Sequence, residues 1–223
     1  MSNPIRRSWD AGRFVQTLNY FEVIPVVNWL QKMFFGATPP PPPQFQAGLI
    51  FDFRRQSETL GQTWGALDDV VMGGVSASSF QPSPEGALFT GYVSTDNSGG
   101  FASVRTRNFE PPLNLGGYTG IVLSVKGDGQ RYKFFVRDSA SWDSMAYAYS
   151  FDTVPGQWIT VHIPFAEMIP VSRARTVRGA QPLNTTQIAS MQLMLSKFEY
   201  DGVLNPQFTA GEFRLWVQTI GSY

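Results

Sequence analysis

From Phe45 onward the chain is a succession of short β-forming runs cut by Gly, Pro, Asn and Asp, and this punctuation constrains the fold more than any other feature. Nine runs read as strands: Leu49–Phe53, Ala87–Val93, Phe101–Thr106, Gly120–Val125, Tyr132–Arg137, Met145–Phe151, Trp158–Ile163, Met191–Phe198 and Phe213–Ile220. Several alternate with a period of two. Ile159, Val161 and Ile163 share one face while Trp158, Thr160 and His162 share the other. Phe213, Leu215 and Val217 likewise oppose Arg214, Trp216 and Gln218. Many evenly spaced strands with turn signals between them specify an all-β chain, an antiparallel sandwich or jelly roll. One exception is expected at Asn184-Thr185-Thr186-Gln187, which has the look of a cap and a short helix.

The residues before this pattern differ in kind. Pro39 to Pro43 are five consecutive prolines, a semi-rigid spacer of roughly 15 Å at about 3.1 Å per residue. The expected division is therefore an amphipathic helical arm at 1–38, a polyproline linker at 39–44 and the β domain at 45–223. In the arm, Ser8 or Asp10 can cap a helix carrying Phe14, Val15, Leu18 and Phe21 at helical spacing. Pro25 ends or kinks it, and a second apolar stretch follows with Trp29, Leu30, Met33, Phe34 and Phe35 before Gly36. Glu22, Asn28, Gln31 and Lys32 interrupt the roughly 20 apolar residues that a spanning helix needs. Three uses stay open: lying on a bilayer surface, docking in a partner's groove, or folding back over the β domain. Phe21, Trp29, Leu30, Met33, Phe34 and Phe35 are the candidate contacts to membrane or partner.

Composition removes several chemistries. The chain has no cysteine and one histidine, which excludes disulfide scaffolds, thiol catalysis and Cys- or His-rich metal centres. The formal net charge is zero, against dominant electrostatic binding to nucleic acid or anionic lipid. No metal or cofactor is implied. Polar residues break what would be the apolar core of a leader after Arg6 and Arg7, so a cytoplasmic protein, or one already processed, is expected.

The densest chemical motif is Asp68-Asp69-Val70-Val71-Met72-Gly73-Gly74-Val75-Ser76. Two adjacent carboxylates could do acid–base work, hold calcium with loop carbonyls, or close a loop onto backbone amides. No histidine or nucleophile lies nearby in sequence, and the Gly-Gly pair suits a tight turn folding back into a strand. Gly127-Asp128-Gly129 is expected to be a hairpin turn, because a strand rather than a helix follows it. Arg173, Arg175 and Arg178 form a local basic loop that could meet an acidic partner or RNA, or simply be solvated. Trp142, Tyr147, Tyr149 and Trp158 are either core or a sugar-stacking platform. His162 is expected to be a partly exposed strand residue.

Four pieces in order carry a resemblance to a known family. After Trp64 comes the Asp68–Ser76 run, then Gly99-Gly100-Phe101-Ala102-Ser103-Val104-Arg105, then Lys126-Gly127-Asp128-Gly129, then Gln157-Trp158 leading to Ile163-Pro164-Phe165. Together they resemble the complex I intermediate-associated protein family over nearly all of residues 49–220, most closely its stand-alone cyanobacterial type. The resemblance implies a galactose-binding-like jelly roll and a non-catalytic, chaperone-like assembly factor. Its client would be a membrane-bound electron-transfer complex, an NADH dehydrogenase of the complex I type or a photosystem. It also implies peripheral association with an inner or thylakoid membrane. Asp68, Asp69, Met72, Arg173, Arg175 and Arg178 are the residues expected to meet subunits or assembly intermediates. A carbohydrate-binding module and an RNA-binding biogenesis factor for photosystem II are the alternatives. Val171 to Pro182 and the arm depart from the family pattern.

Overall fold

Alternating burial organises the β domain as the sequence indicates. In the computed structural model, which describes residues 8–23, 48–55 and 59–223, thirteen strands form two antiparallel sheets around one core. All nine expected strands are present. They are β1 (Leu49–Asp52), β4 (Gly86–Val93), β5 (Phe101–Thr106), β6 (Gly120–Lys126), β7 (Arg131–Arg137), β8 (Ala146–Asp152), β9 (Trp158–Pro164), β12 (Ser190–Ser196) and β13 (Gly211–Ser222). Four more are short or polar: β2 (Trp64–Ala66), β3 (Ala77–Ser83), β10 (Ile169–Ser172) and β11 (Arg175–Thr176). The smaller sheet runs β3-β4-β13-β6-β9, with β1 continuing beside β13 beyond the end of β4. The larger runs β11-β10-β8-β7-β12-β5-β2. The architecture is a jelly-roll sandwich.

Period-two patterning sets which face of each strand is core. Tyr132, Phe134 and Val136 of β7 are buried against Met191, Leu193 and Leu195 of β12 and against Phe89, Phe213 and Leu215 of the opposite sheet. Phe89 and Phe213 meet edge to face at 4.8 Å. Each such ring, fully withdrawn from water, contributes about 2–3 kcal/mol. Lys133, Phe135 and Arg137 point to the other side of the larger sheet, its outer face.

Two local expectations change. Thr185 to Gln187 form a turn rather than a helix: the Asn184 side chain accepts from Thr186 N at 3.2 Å and Thr186 Oγ1 at 2.7 Å, and Ile188 then bridges to Leu113. Asn therefore closes an Asx turn where a cap was expected. Gly127 to Gly129 are not a hairpin turn. β6 belongs to the smaller sheet and β7 to the larger, so this segment is a crossover between layers. Asp128 fixes it by accepting from Tyr132 OH at 3.0 Å and Arg214 N at 2.9 Å.

Helix α1 (Ala11–Tyr20) is capped by Asp10, whose carboxylate accepts from Gly12 N at 2.8 Å and Arg13 N at 3.1 Å. It lies along β2, an edge of the larger sheet, where the Tyr20 ring occupies the space above Gly65. Trp29, Leu30, Met33, Phe34, Phe35 and the proline run fall outside the described residues. Among the described residues, no helix is long and apolar enough to cross a membrane.

Candidate functional site

Strand polarity gathers five connections at one end of the sandwich: 67–76, 94–100, 127–130, 153–157 and 197–210. The Asp68–Ser76 run is the first of these. Asp69 to Met72 make one 3-10 turn that Gly73 ends in left-handed backbone, φ 89°. A side chain at Gly73 would be strained there. Gly74 is needed for a different reason, since a Cβ on it would sit 2.3 Å from the Asp69 carboxyl carbon.

The two aspartates point into the protein. Asp68 is 1% and Asp69 0% exposed. Asp69 accepts from Ser76 N at 2.9 Å, Ser76 Oγ at 2.6 Å, Gly100 N at 2.8 Å and Phe101 N at 3.3 Å. Asp68 accepts from Ser78 N at 2.9 Å, Ser78 Oγ at 2.5 Å, Ser103 N at 3.0 Å and Arg13 Nη2 at 2.7 Å. Burial pushes the Asp68 carboxyl up to about 6, against the opposing pull of Ser78, Ser103 and Arg13. The adjacent carboxylates thus tie the two most specific sequence motifs together, the Asp68–Ser76 loop to the Gly99–Arg105 strand entry. All eight contacts are from N–H or O–H donors, a lining suited to an anionic carboxylate and unsuited to calcium, which needs oxygens free of such donors. Asp68 and Asp69 were expected as partner contacts; buried and engaged in this way, they cannot touch a partner and instead fix the loop that carries Met72. Met72 is 70% exposed at the loop tip.

The second half of the same end is also apolar. The 197–205 excursion folds as a hairpin, with Phe198 bridged to Leu204 and its turn at Asp201-Gly202. Val203 and Leu204 are 61% and 67% exposed, and Phe198 is partly so. These residues were not picked out from the sequence, because nothing in a two-residue Val-Leu pair separates an exposed turn from a core strand.

The basic loop takes a different shape and place. Arg173 and Ala174, both at positive φ, turn the β10–β11 hairpin, with Ser172 opposite Arg175. Arg173 is held by Asp143, and Asp201 holds Thr176 through its backbone and hydroxyl beside the charges of Arg175 and Arg178. β11 and β2 are opposite edges of the larger sheet, so the arginines and the Met72 loop do not form one site.

Phe21 was expected to face a membrane or partner. Its ring instead packs at a tilt 5.5 Å from Trp142 and lies 5.9 Å from the Arg105 guanidinium, on the protein's own outer face. Trp9 Nε1 donates to Val70 O at 2.9 Å, and Arg13 Nη1 to Ser76 O at 2.8 Å, so the start of this segment lies directly on the signature loop. The four aromatics considered for sugar stacking do not share a face. Tyr147 is buried, Tyr149 packs on the core, Trp142 lies against Phe21, and Trp158 is on the smaller sheet beside Lys126. His162 is exposed on β9 with its ring against Tyr223. Among the described residues no three of His, Cys, Asp and Glu cluster as a metal site would require.

Comparison with known proteins places this architecture. A family 11 carbohydrate-binding module from Clostridium thermocellum superposes with a TM-score of 0.54 at 17% identity, covering 78% of this chain and 94% of the module. The same type of module from a cellulosomal cellulase of that organism gives 0.53 at 16% identity, covering 78% and 92%. At these identities the likeness is one of fold. An uncharacterized protein of Schizosaccharomyces pombe is 31% identical over 166 residues, 65% of this chain and 76% of the relative. Residues 51–217, from the first strand of the sandwich to its last, match the family described as complex I intermediate-associated protein 30, and the chain belongs to that family.

Proposed function

We propose that this protein is a non-catalytic assembly factor that holds subunits of a membrane-bound electron-transfer complex, an NADH dehydrogenase of the complex I type, before they are built in. The observation that carries this reading is the family match, which spans the whole sandwich. The loop end gives it a physical form. Asp68 and Asp69 rigidify a loop whose tip offers Met72, and the neighbouring hairpin offers Val203 and Leu204. A rigid scaffold bearing adaptable apolar side chains suits transient cover of subunit surface that will later be buried. The carboxylates that a hydrolytic mechanism would draw on are committed to structure. The protein works at the membrane surface because its client is there.

The test is capture of the tagged full chain from detergent-solubilised native membranes, with co-purifying subunits identified by mass spectrometry. Enrichment of NADH dehydrogenase subunits supports the reading. Enrichment of photosystem subunits would redirect the client while keeping the role, and glycan binding with no subunit captured would overturn it.

A further inference from the structure

The outer face of the larger sheet holds two cations, Arg105 buried and Arg137 half-buried, that have no counter-ion among the described residues. Arg105 on β5 and Arg137 on β7 flank β12, with Arg105 opposite Gln192 and Arg137 opposite Ser190. Their strands are two spacings apart, roughly 10 Å, and both side chains project to the same face as Ser190 and Gln192. Arg105 is 3% exposed and Ser190 0%. Three buried donors in this group have no hydrogen-bond partner: Arg105 Nε, Arg137 Nε and Ser190 Oγ.

The surroundings explain how the donors are held. Gln192 Nε2 donates to Ser103 Oγ at 2.9 Å, which turns the Gln192 oxygen to accept from Arg137 Nη1 at 2.9 Å. Among the described residues Arg105 Nη1 reaches only Trp142 O, at 3.4 Å. The rings of Phe21 and Trp142 lie over Arg105 at 5.9 and 5.5 Å. Neither guanidinium has a carboxylate in ion-pair distance among the described residues. Asp143 is the acid whose field reaches Arg137, and it is occupied by Arg173 at the surface.

Two guanidiniums in such a place are costly. Burial and mutual repulsion push Arg137 down to about 9, and burial pushes Arg105 down to about 10. Buried charges are ordinarily paired, and the free Nε edge of a guanidinium is the one that grips two oxygens at once.

We propose that this face is an oxyanion site: a carboxylate or phosphate group sits between Arg105 and Arg137, takes a third hydrogen bond from Ser190, and enters when Phe21 and Trp142 move aside. The site is independent of the assembly reading. It can hold with inorganic ions alone whatever the client is, and it can fail while subunit capture succeeds.

The experiment is a titration of the full chain with sodium phosphate and, separately, sodium acetate, at ionic strength fixed with sodium chloride. Arginine Nε–H resonances and the melting temperature are followed together. Saturable shifts of the Arg105 and Arg137 signals are expected, with a rise in melting temperature that chloride does not give. Phosphate alone acting would identify a phosphate site, and acetate also acting would extend it to carboxylates; either supports the proposal. Arg137→Met should weaken binding at least tenfold. Ser190→Ala, which removes only a hydroxyl without a partner and leaves the sheet intact, should weaken it several-fold. Responses no larger than those to chloride, or affinities unchanged in the variants that fold, would overturn the proposal.

Discussion

Asp69 accepts hydrogen bonds from two separate stretches of chain, the Ser76 backbone and hydroxyl on one and Gly100 N and Phe101 N on the other. Replacing it by alanine takes the acceptor from the backbone N–H groups of Ser76, Gly100 and Phe101 and leaves the Ser76 hydroxyl only Ser94 O at 3.4 Å, and we expect a loss of about 3–5 kcal/mol in urea unfolding. Gly74→Ala should lower the midpoint as well, because its new methyl collides with that carboxylate. Asp68 gives a pH signature. A carboxyl group whose folded pKa is raised to about 6 adds stability that is complete below its unfolded value near 4 and disappears as pH rises through 6. Wild type should therefore gain on the non-titrating Asp68→Asn variant as pH falls from 7 to 4, by roughly 2–3 kcal/mol at most. A difference between the two proteins that stays flat across that window would refute the assigned titration. The loop-closing role of the pair was legible in the sequence, because Asp-Asp beside Gly-Gly leaves few other ways to satisfy a tight turn. Their full burial was not. It depends on Ser103 and Gly100, more than thirty residues away.

At the scale of elements, α1 is held at its start by Trp9 and Arg13 and at its end by Tyr20, Phe21 and the Arg107–Glu22 pair. A methyl at Gly65 would lie 2.3 Å from the Tyr20 ring. Gly65→Ala should consequently raise hydrogen exchange in residues 11–20 while the central strands β7 and β12 keep their protection. Equal protection of α1 in both proteins would mean that the helix is not anchored there. Strands with period-two burial, such as β7 and β13, could be found from the sequence because one side of each is uniformly apolar. β3 could not, since Phe80 is its one buried apolar residue and Pro82 marks it as an edge. β10 and β11 escaped for a related reason. They form an edge hairpin set by the positive φ of Arg173 and Ala174, and neither is a residue type that announces such a turn.

For the whole molecule, the jelly roll followed from counting strands and turn signals, and the family from four motifs in order. The way those motifs combine did not follow. Asp68, Asp69, Gly100 and Ser103 form one buried knot, whereas Asp128 fixes a separate crossover between the sheets. The arginines of the β10–β11 hairpin and the Met72 loop also prove to stand at opposite edges of one sheet, a separation that spacing along the chain cannot disclose. The account of function, carried by the family match, assigns the contact with subunits to the loop end. Its most direct test compares wild type with a Met72→Glu, Leu204→Glu double variant in capture from native membranes, both side chains being exposed so that the fold is kept. The account predicts that wild type retains respiratory-complex subunits and the variant loses most of them, with melting temperatures alike. Equal capture by both proteins would contradict it.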